Sequence, residues 1–188
     1  MRMVFPTLEY KERAIEFVNE FSAAGTRSID GSGGLDRYLR ESSYEQWLQK
    51  LLVYIDIANP PAGKVPSLTY FYVRGEDERI VGMIDIRLAL NDFLRNEAGH
   101  IGYCVRPSER RRHYATAMLR EGLRVLKTIG VKDAIVTCDK DNIASASVIK
   151  NNGGELEAEL YSEAFGALIQ RYVIHLLPEE GDSTSAAL

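Results

Sequence analysis

An α/β fold, a mixed β-sheet flanked by helices, is predicted by three observations. Short β-branched and aromatic runs alternate with stretches of helical periodicity. The segment His100 to Ile129 reads as a short strand, an arginine-rich turn and a long amphipathic helix, and an apolar strand, DAIVTC at Asp133 to Cys138, follows it. A strand–helix–strand unit of this kind predicts a right-handed crossover between parallel strands. Hairpin-like pairs flank it on both sides, and these predict antiparallel neighbours. A chain of 188 residues with 45% apolar content suits one domain with a full core. The domain is expected over residues 1–177, with 178–188 a polar, disordered tail.

The elements follow in order. Arg2 to Phe5 suits a first strand, and Pro6 and Thr7 open a helix through about Phe21, with Ile15, Val18 and Phe21 on one face. Residues 22–36 read as a loop containing GSGG at Gly31 to Gly34. A second helix runs from Ser43 through Leu52, with Ser43 and Gln46 at capping-box spacing. Asn59 to Gly63 is a proline-containing break. SLTYFYVR (Ser67 to Arg74) and RIVGMIDIRL (Arg79 to Leu88) form a hairpin, and Ala89 to Gly99 is a polar loop. His100 to Val105 is a strand ended by Pro107. The helix after it carries Ala115, Met118, Leu119, Gly122, Leu126 and Ile129 along one stripe, with Gly130 as its stop. Asn142 starts a helix that ends at Gly153–Gly154, and Glu155 to Tyr161 with Ala167 to Leu176 form a last hairpin.

Composition excludes several classes. A net charge of −4 argues against a nucleic-acid partner, which usually meets a basic face. No run approaches the roughly 18 apolar residues of a membrane span. Glu9, Lys11, Glu12 and Arg13 come too early for a secretory signal, so a cytoplasmic protein is expected. Cys104 and Cys138 sit in strands and read as small buried residues. With three scattered histidines they make no metal site.

The turn carries the chemistry. A strand running into a helix leaves backbone N–H groups unpaired at the helix start, and the helix dipole favours an anion there. Arg106, Arg110, Arg111 and Arg112 stand in or beside this turn, and the local chemistry suits a pyrophosphate.

At these residues the chain resembles the GNAT superfamily of acyl-CoA-dependent N-acyltransferases. The family's cofactor signature, Arg/Gln-x-x-Gly-x-Gly/Ala, is matched by Arg110-Arg111-Arg112-His113-Tyr114-Ala115, after a strand ending Tyr103-Cys104-Val105-Arg106-Pro107. A second signature, an asparagine after the next strand, then a helix and a glycine turn, is matched by Asn142 through Gly153-Gly154. The likeness covers roughly residues 67–176. It implies a GNAT-like fold and acetyl-CoA as cosubstrate. Arg110, Arg111, Arg112, His113, Tyr114, Ala115 and Thr116 would hold the pyrophosphate, and Tyr103, Cys104, Val105 and Asn142 the pantetheine arm. The strand would meet the pantetheine amides through its backbone, and an N–H near Val105 would polarise the thioester carbonyl.

Two departures stand out. His113 replaces the first glycine of the signature, and its N–H remains usable if φ stays negative. Ile149 occupies the place where many relatives carry an acid tyrosine, and Ile101 the place of a strand glutamate.

The implied reaction is direct attack of a primary amine, on a small molecule or peptide, in a ternary complex without an acyl-cysteine. An amine with a pKa of about 10.4 must first lose a proton. Glu97 and His100, at the entrance to the central strand, are the candidates to take it. Tyr161 or Tyr172 would replace the missing acid. GSGG lacks the lysine and Ser/Thr of a phosphate loop and reads as a flexible acceptor-side loop. Two alternatives are an acyl-CoA-sensing module that has lost turnover and a nucleotide-dependent enzyme using GSGG. Homodimers are common among such folds, but no interface is legible in the sequence.

Overall fold

The computed structural model describes residues 1–26 and 28–176, so the tail expected at 178–188 lies outside the described residues. The elements are β1 (Arg2–Val4), α1 (Lys11–Ala23), α2 (Leu35–Glu41), α3 (Tyr44–Tyr54), β2 (Ser67–Arg74) and β3 (Arg79–Arg87). After them come β4 (Ile101–Val105), α4 (Tyr114–Thr128), β5 (Asp133–Asp139), α5 (Ile143–Lys150), β6 (Glu155–Ser162) and β7 (Ala167–His175).

The strands form a four-stranded sheet, β1-β2-β3-β4, and a three-stranded sheet, β5-β7-β6, with every paired neighbour antiparallel. The expected crossover neighbours β4 and β5 therefore meet without a shared ladder. Where they touch, the His100 N–H donates to the Ile135 carbonyl (2.7 Å). The Ile135 N–H returns a bond to His100 Nδ1 (2.9 Å), and Thr137 Oγ1 donates to the Glu97 carbonyl (3.0 Å). Beyond this bridge β4 and β5 share no ladder, and the gap between their facing edges is the cleft.

Two apolar layers hold the frame. Ile84, Ile86 and Ile101 pack with Met118, Leu119 and Leu126 of α4, and with Val136, Ile149 and Tyr172, on one side. Phe71, Val73, Ile80 and Met83 pack with Phe17 and Phe21 of α1, Leu35 of α2 and Tyr44, Trp47 and Leu51 of α3 on the other. β3 is thus covered on both faces, which is why Ile80 to Ile86 are buried without alternation, Asp85 among them with a hydrogen bond from Thr69 (2.8 Å). Each fully buried large side chain contributes about 1.5–3 kcal/mol.

Two elements differ from the sequence reading. Leu35–Glu41 is helical, where the sequence reading ends its loop at residue 36 and gives residues 37–42 no element. Its two turns are too few for a periodic signal, and they are fixed by Leu35 packed inside and a buried Ser32–Asp36 hydrogen bond (2.9 Å). In the loop before β4, Leu94–Ala98 forms a π-helical turn closed by a Gly99 N–H to Leu94 carbonyl bond of 2.6 Å. Gly99 has φ +63°, and a Cβ there would lie 2.5 Å from the Ile135 carbonyl. Only glycine lets the chain pass that close to β5. Ser43 caps α3 as its spacing predicts, accepting from the Gln46 N–H. No helix among the described residues is long and apolar enough to cross a membrane.

Candidate functional site

The cleft begins with the register of β4. The Arg87 N–H donates to the His100 carbonyl (2.8 Å) and the Arg106 N–H to the Val81 carbonyl (2.9 Å). Residues of an antiparallel strand alternate in direction, so Gly102 and Cys104 also spend their backbone groups on β3. Ile101, Tyr103 and Val105 turn theirs toward the gap. This is an open strand edge, inside the protein, next to a helix N-terminus.

The turn after β4 is clamped from below. Arg106 is 1% exposed. It donates to the Ile80 carbonyl (2.8 Å), pairs with Glu16 (2.8 Å) and Glu20 (3.0 Å), and stacks over Phe17. It belongs to the α1 face and takes no part in the anion chemistry expected of it. Buried Glu109 gathers Arg74 (3.1 Å), Arg79 (3.5 Å) and Arg112 (3.3 Å). Arg110, Arg111, Arg112 and His113 are exposed at the surface of the turn. The backbone there is unusual. Arg111 and His113 both have φ +61°, where negative φ was expected for His113. A left-handed non-glycine residue costs roughly 1–2 kcal/mol and is held only where its surroundings demand it. His113 caps α4, its carbonyl accepting from the Ala117 N–H, so the N–H groups of His113, Tyr114, Ala115 and Thr116 have no partner within the helix. Alternating backbone handedness of this sort makes a concave set of amides suited to an anion. The exposed edge of β4 leads straight into it.

Tyr103 reaches across the gap. Its hydroxyl lies 2.8 Å from Ser145 Oγ, in the first turn of α5, and burial pushes its pKa up. Asn142 Oδ1 caps the same turn, accepting from the Ser145 N–H (3.0 Å). Burial also pushes the Cys104 and Cys138 thiols up, which keeps both protonated. Of the cofactor residues expected on β4, Tyr103 and Val105 turn toward the cleft with the turn and Asn142, whereas Cys104 does not: its backbone bonds to β3 and its side chain packs against the α1–α3 core.

The residues expected to move protons are placed differently. His100 is 6% exposed and spends Nδ1 on the Ile135 N–H. Burial lowers its pKa to about 4, with Arg95 and Arg87 adding to the effect. It is a bridge at the closed end of the cleft, and the geometry gives it no free nitrogen lone pair for a base. Glu97 holds a short hydrogen bond from Ser162 Oγ and accepts from Thr137 through its carbonyl, so it too braces the junction. Tyr161 is 57% exposed on β6, with β7 between it and β5. Tyr172 is wholly buried and donates to Gln170 Oε1.

One cleft residue escaped the sequence reading. The GSGG loop is wedged rather than free: Gly31 lies so close to β4 that a Cβ would be 2.4 Å from the Gly102 carbonyl and 2.5 Å from Tyr103 Cα. Its neighbour Asp30 is thereby brought beside β4 and the end of β5. Its carboxyl is pushed up, first by the protein around it and next by Asp139, against the pull of Arg87. Its surface still reaches solvent, as a group in an open mouth does.

A family model for the acetyltransferase (GNAT) domain matches residues 33–155. No curated protein matches the chain. Among solved structures, RimL, a ribosomal L7/L12 alpha-N-protein acetyltransferase in complex with coenzyme A, superposes with a TM-score of 0.68 at 16% identity, over 93% of each chain. The microcin C7 self-immunity acetyltransferase MccE, in complex with acetyl-CoA and AMP, gives 0.66 at 15% identity, over 92% of this chain and 91% of its own. The spermidine N-acetyltransferase SpeG from Vibrio cholerae gives 0.60 at 13%, over 94% and 95%. At these identities the structures speak for the fold, and the domain match covers more than half of the residues: the chain belongs to the GNAT acetyltransferase family.

Proposed function

We propose that this protein is an acetyl-CoA-dependent N-acetyltransferase that acetylates a primary amine, on a small molecule or a peptide, by direct attack in a ternary complex. The observation that carries the reading is the open edge of β4 running into an amide cradle framed by two left-handed residues. An extended amide-bearing arm fits the edge, and a diphosphate fits the cradle. Bound acetyl-CoA would supply an activated acyl group and a thiolate leaving group.

The chain's own residues bind and orient. Tyr103 and Val105 offer strand-like backbone hydrogen bonds to the arm's amides. The amides of His113 to Thr116, with the α4 dipole behind them, would hold the diphosphate. Arg110, Arg111 and Arg112 add positive charge around it. A strand N–H at the inner end of the open edge suits the role of polarising the acyl carbonyl. Both thiols are held neutral by burial, which supports direct attack over an acyl-cysteine.

Thermal unfolding with acetyl-CoA, CoA and ATP in parallel tests this. A ligand at 100 times its Kd adds about 2.7 kcal/mol of stability. A rise with both CoA species and none with ATP, followed by thiol release over an amine panel, is the expected result. No rise with either CoA species sinks the reading.

A further inference from the structure

Asp30 is presented by a rigid mount. On one side Ile29 is buried in the α1–α3 core, at 5% exposure. On the other, Gly31 is pressed against Gly102 and Tyr103. Ser32 is 2% exposed; its hydroxyl donates to Asp36 and accepts from the Gly34 N–H. The Gly33 carbonyl accepts from both Trp47 Nε1 (3.1 Å) and Lys50 Nζ (2.7 Å). The backbone at Asp30 is therefore fixed, while its carboxylate forms no ion pair or hydrogen bond among the described residues.

The surroundings place that carboxylate. Cys104 packs into the α1–α3 core whereas Tyr103 reaches α5, so the two faces of β4 are distinct. The Gly31 contact puts the Asp30 loop on the Gly102 and Cys104 face, at the middle of the strand, opposite the Tyr103 side chain. The charges that bear on Asp30 are Asp139 from the end of β5, Arg87 from the end of β3 and Asp36 from α2. Asp30 in turn bears on Tyr103 and Cys104 of β4. It thus stands above the inner stretch of the open edge, where β4 and β5 part, on the side away from α5.

We propose that Asp30 is the group that receives the acceptor: it binds a cationic primary amine as the ammonium and takes the proton that frees its lone pair. This rests on the acetyltransferase reading above. The ammonium gives one proton to Asp30. The amine nitrogen then bonds to the acyl carbon, the carbon–sulfur bond breaks with its electron pair going to sulfur, and the second proton of the nitrogen goes to the thiolate. Amide and free CoA thiol result, and Asp30 later releases its proton to solvent. Two exposed carboxylates, Asp30 and Asp139, stand at the mouth with Arg87, while buried Asp36 is taken up by Ser32 and Arg40, and this balance favours a cationic acceptor over an anionic one. A carboxyl pushed up by its surroundings is also a better base than an ordinary one.

The test compares wild type, Asp30→Asn and Asp30→Glu in three measurements. One is the thermal shift caused by CoA. The next is thiol release with spermidine, lysine and an alanine-initiated peptide between pH 6 and 9. The last is the unfolding temperature without ligand at pH 7.5. Asp30→Asn should keep the CoA shift and lower kcat/KM for the accepted amine at least 100-fold across that pH range. Asp30→Glu should recover part of the rate. Removing a carboxylate that the fold holds at a cost should leave the ligand-free unfolding temperature equal or higher. A wild-type rate in Asp30→Asn overturns the assignment. So does loss of the CoA shift in that variant, which would make Asp30 a structural residue. A wild type that is stabilised by CoA yet acetylates none of the three amines also overturns it. A wild type that CoA does not stabilise removes the acetyltransferase reading itself, a result separable from the others.

Discussion

The Tyr103 hydroxyl and Ser145 Oγ, 2.8 Å apart, tie the open strand β4 to the first turn of α5 across the cleft. The pair spans the place where the sheets have no ladder between them, so it sets how far the cleft opens on that side. A neutral hydrogen bond of this kind is worth about 0.5–1.5 kcal/mol. Urea unfolding of Tyr103→Phe, Ser145→Ala and the double variant should give a coupling energy in that range, because the residues touch directly. CoA should still stabilise Tyr103→Phe, since in the proposed binding mode the strand backbone and not the phenol meets the ligand. Additive single effects would show that the bond does not form in solution.

His100 makes the junction acid-sensitive. Burial lowers its pKa to about 4 in the fold, below its usual value near 6.5, and the Ile135 N–H needs an unprotonated Nδ1. As pH falls through this window the unfolded chain takes up a proton that the folded one refuses. Stability is therefore intact above pH 6.5 and declines toward pH 4, by an amount on the order of 3 kcal/mol. The unfolding temperature should fall across that interval in wild type and fall less in His100→Asn, which keeps an acceptor for Ile135 without a titrating group. An equal decline in both would assign the acid sensitivity to other groups.

His113 sits at φ +61° in a position that the family's signature gives to glycine. Changing it to glycine should relieve roughly 1–2 kcal/mol of backbone strain. Denaturant unfolding should register that gain, and CoA affinity should stay within a few-fold of wild type because the amide direction is unchanged. A loss of stability would mean that the imidazole makes a contact worth more than the strain.

Gly31→Ala should do the reverse. A Cβ at 2.4 Å from the Gly102 carbonyl, at φ +68°, cannot be accommodated without moving the loop or the strand. The expected cost is at least about 2 kcal/mol in unfolding. Amine turnover should fall more than CoA binding, which separates the acceptor side of the cleft from the cofactor side.

The fold was legible wherever one element is long and has one period. α1, α3, α4 and both hairpins lie within a few residues of where their apolar spacing puts them. The strand–turn–helix start at β4 and α4, where we place the anion, was legible because it is local and occupies consecutive residues. What stayed hidden was contact between distant segments. Arg106 reads like its neighbours Arg110 to Arg112, yet Glu16 and Glu20, some ninety residues earlier, draw it inside. His100 reads as a base because nothing near it in sequence reveals that Ile135 fills its Nδ1. Asp30 reads as an ordinary loop carboxylate until Gly31 is seen against Gly102. The clue available beforehand was the glycine density of that loop, which signals close backbone approach as well as mobility.

The parting of the sheets has a consequence for the ligand-free protein. A strand with unsatisfied N–H and C=O groups along one side is a template for any other extended chain, and proteins usually blunt such edges. In β4 the groups of Ile101, Tyr103 and Val105 face the other sheet, tied to it among the described residues by the His100–Ile135 and Thr137–Glu97 bonds at one end and to α5 by the Tyr103–Ser145 bond. A small ligand with amides at strand spacing can enter the gap, whereas another protein's strand must force it wider. Those ties therefore guard the edge against self-association, and weakening the His100–Ile135 bridge should raise aggregation as well as lower stability.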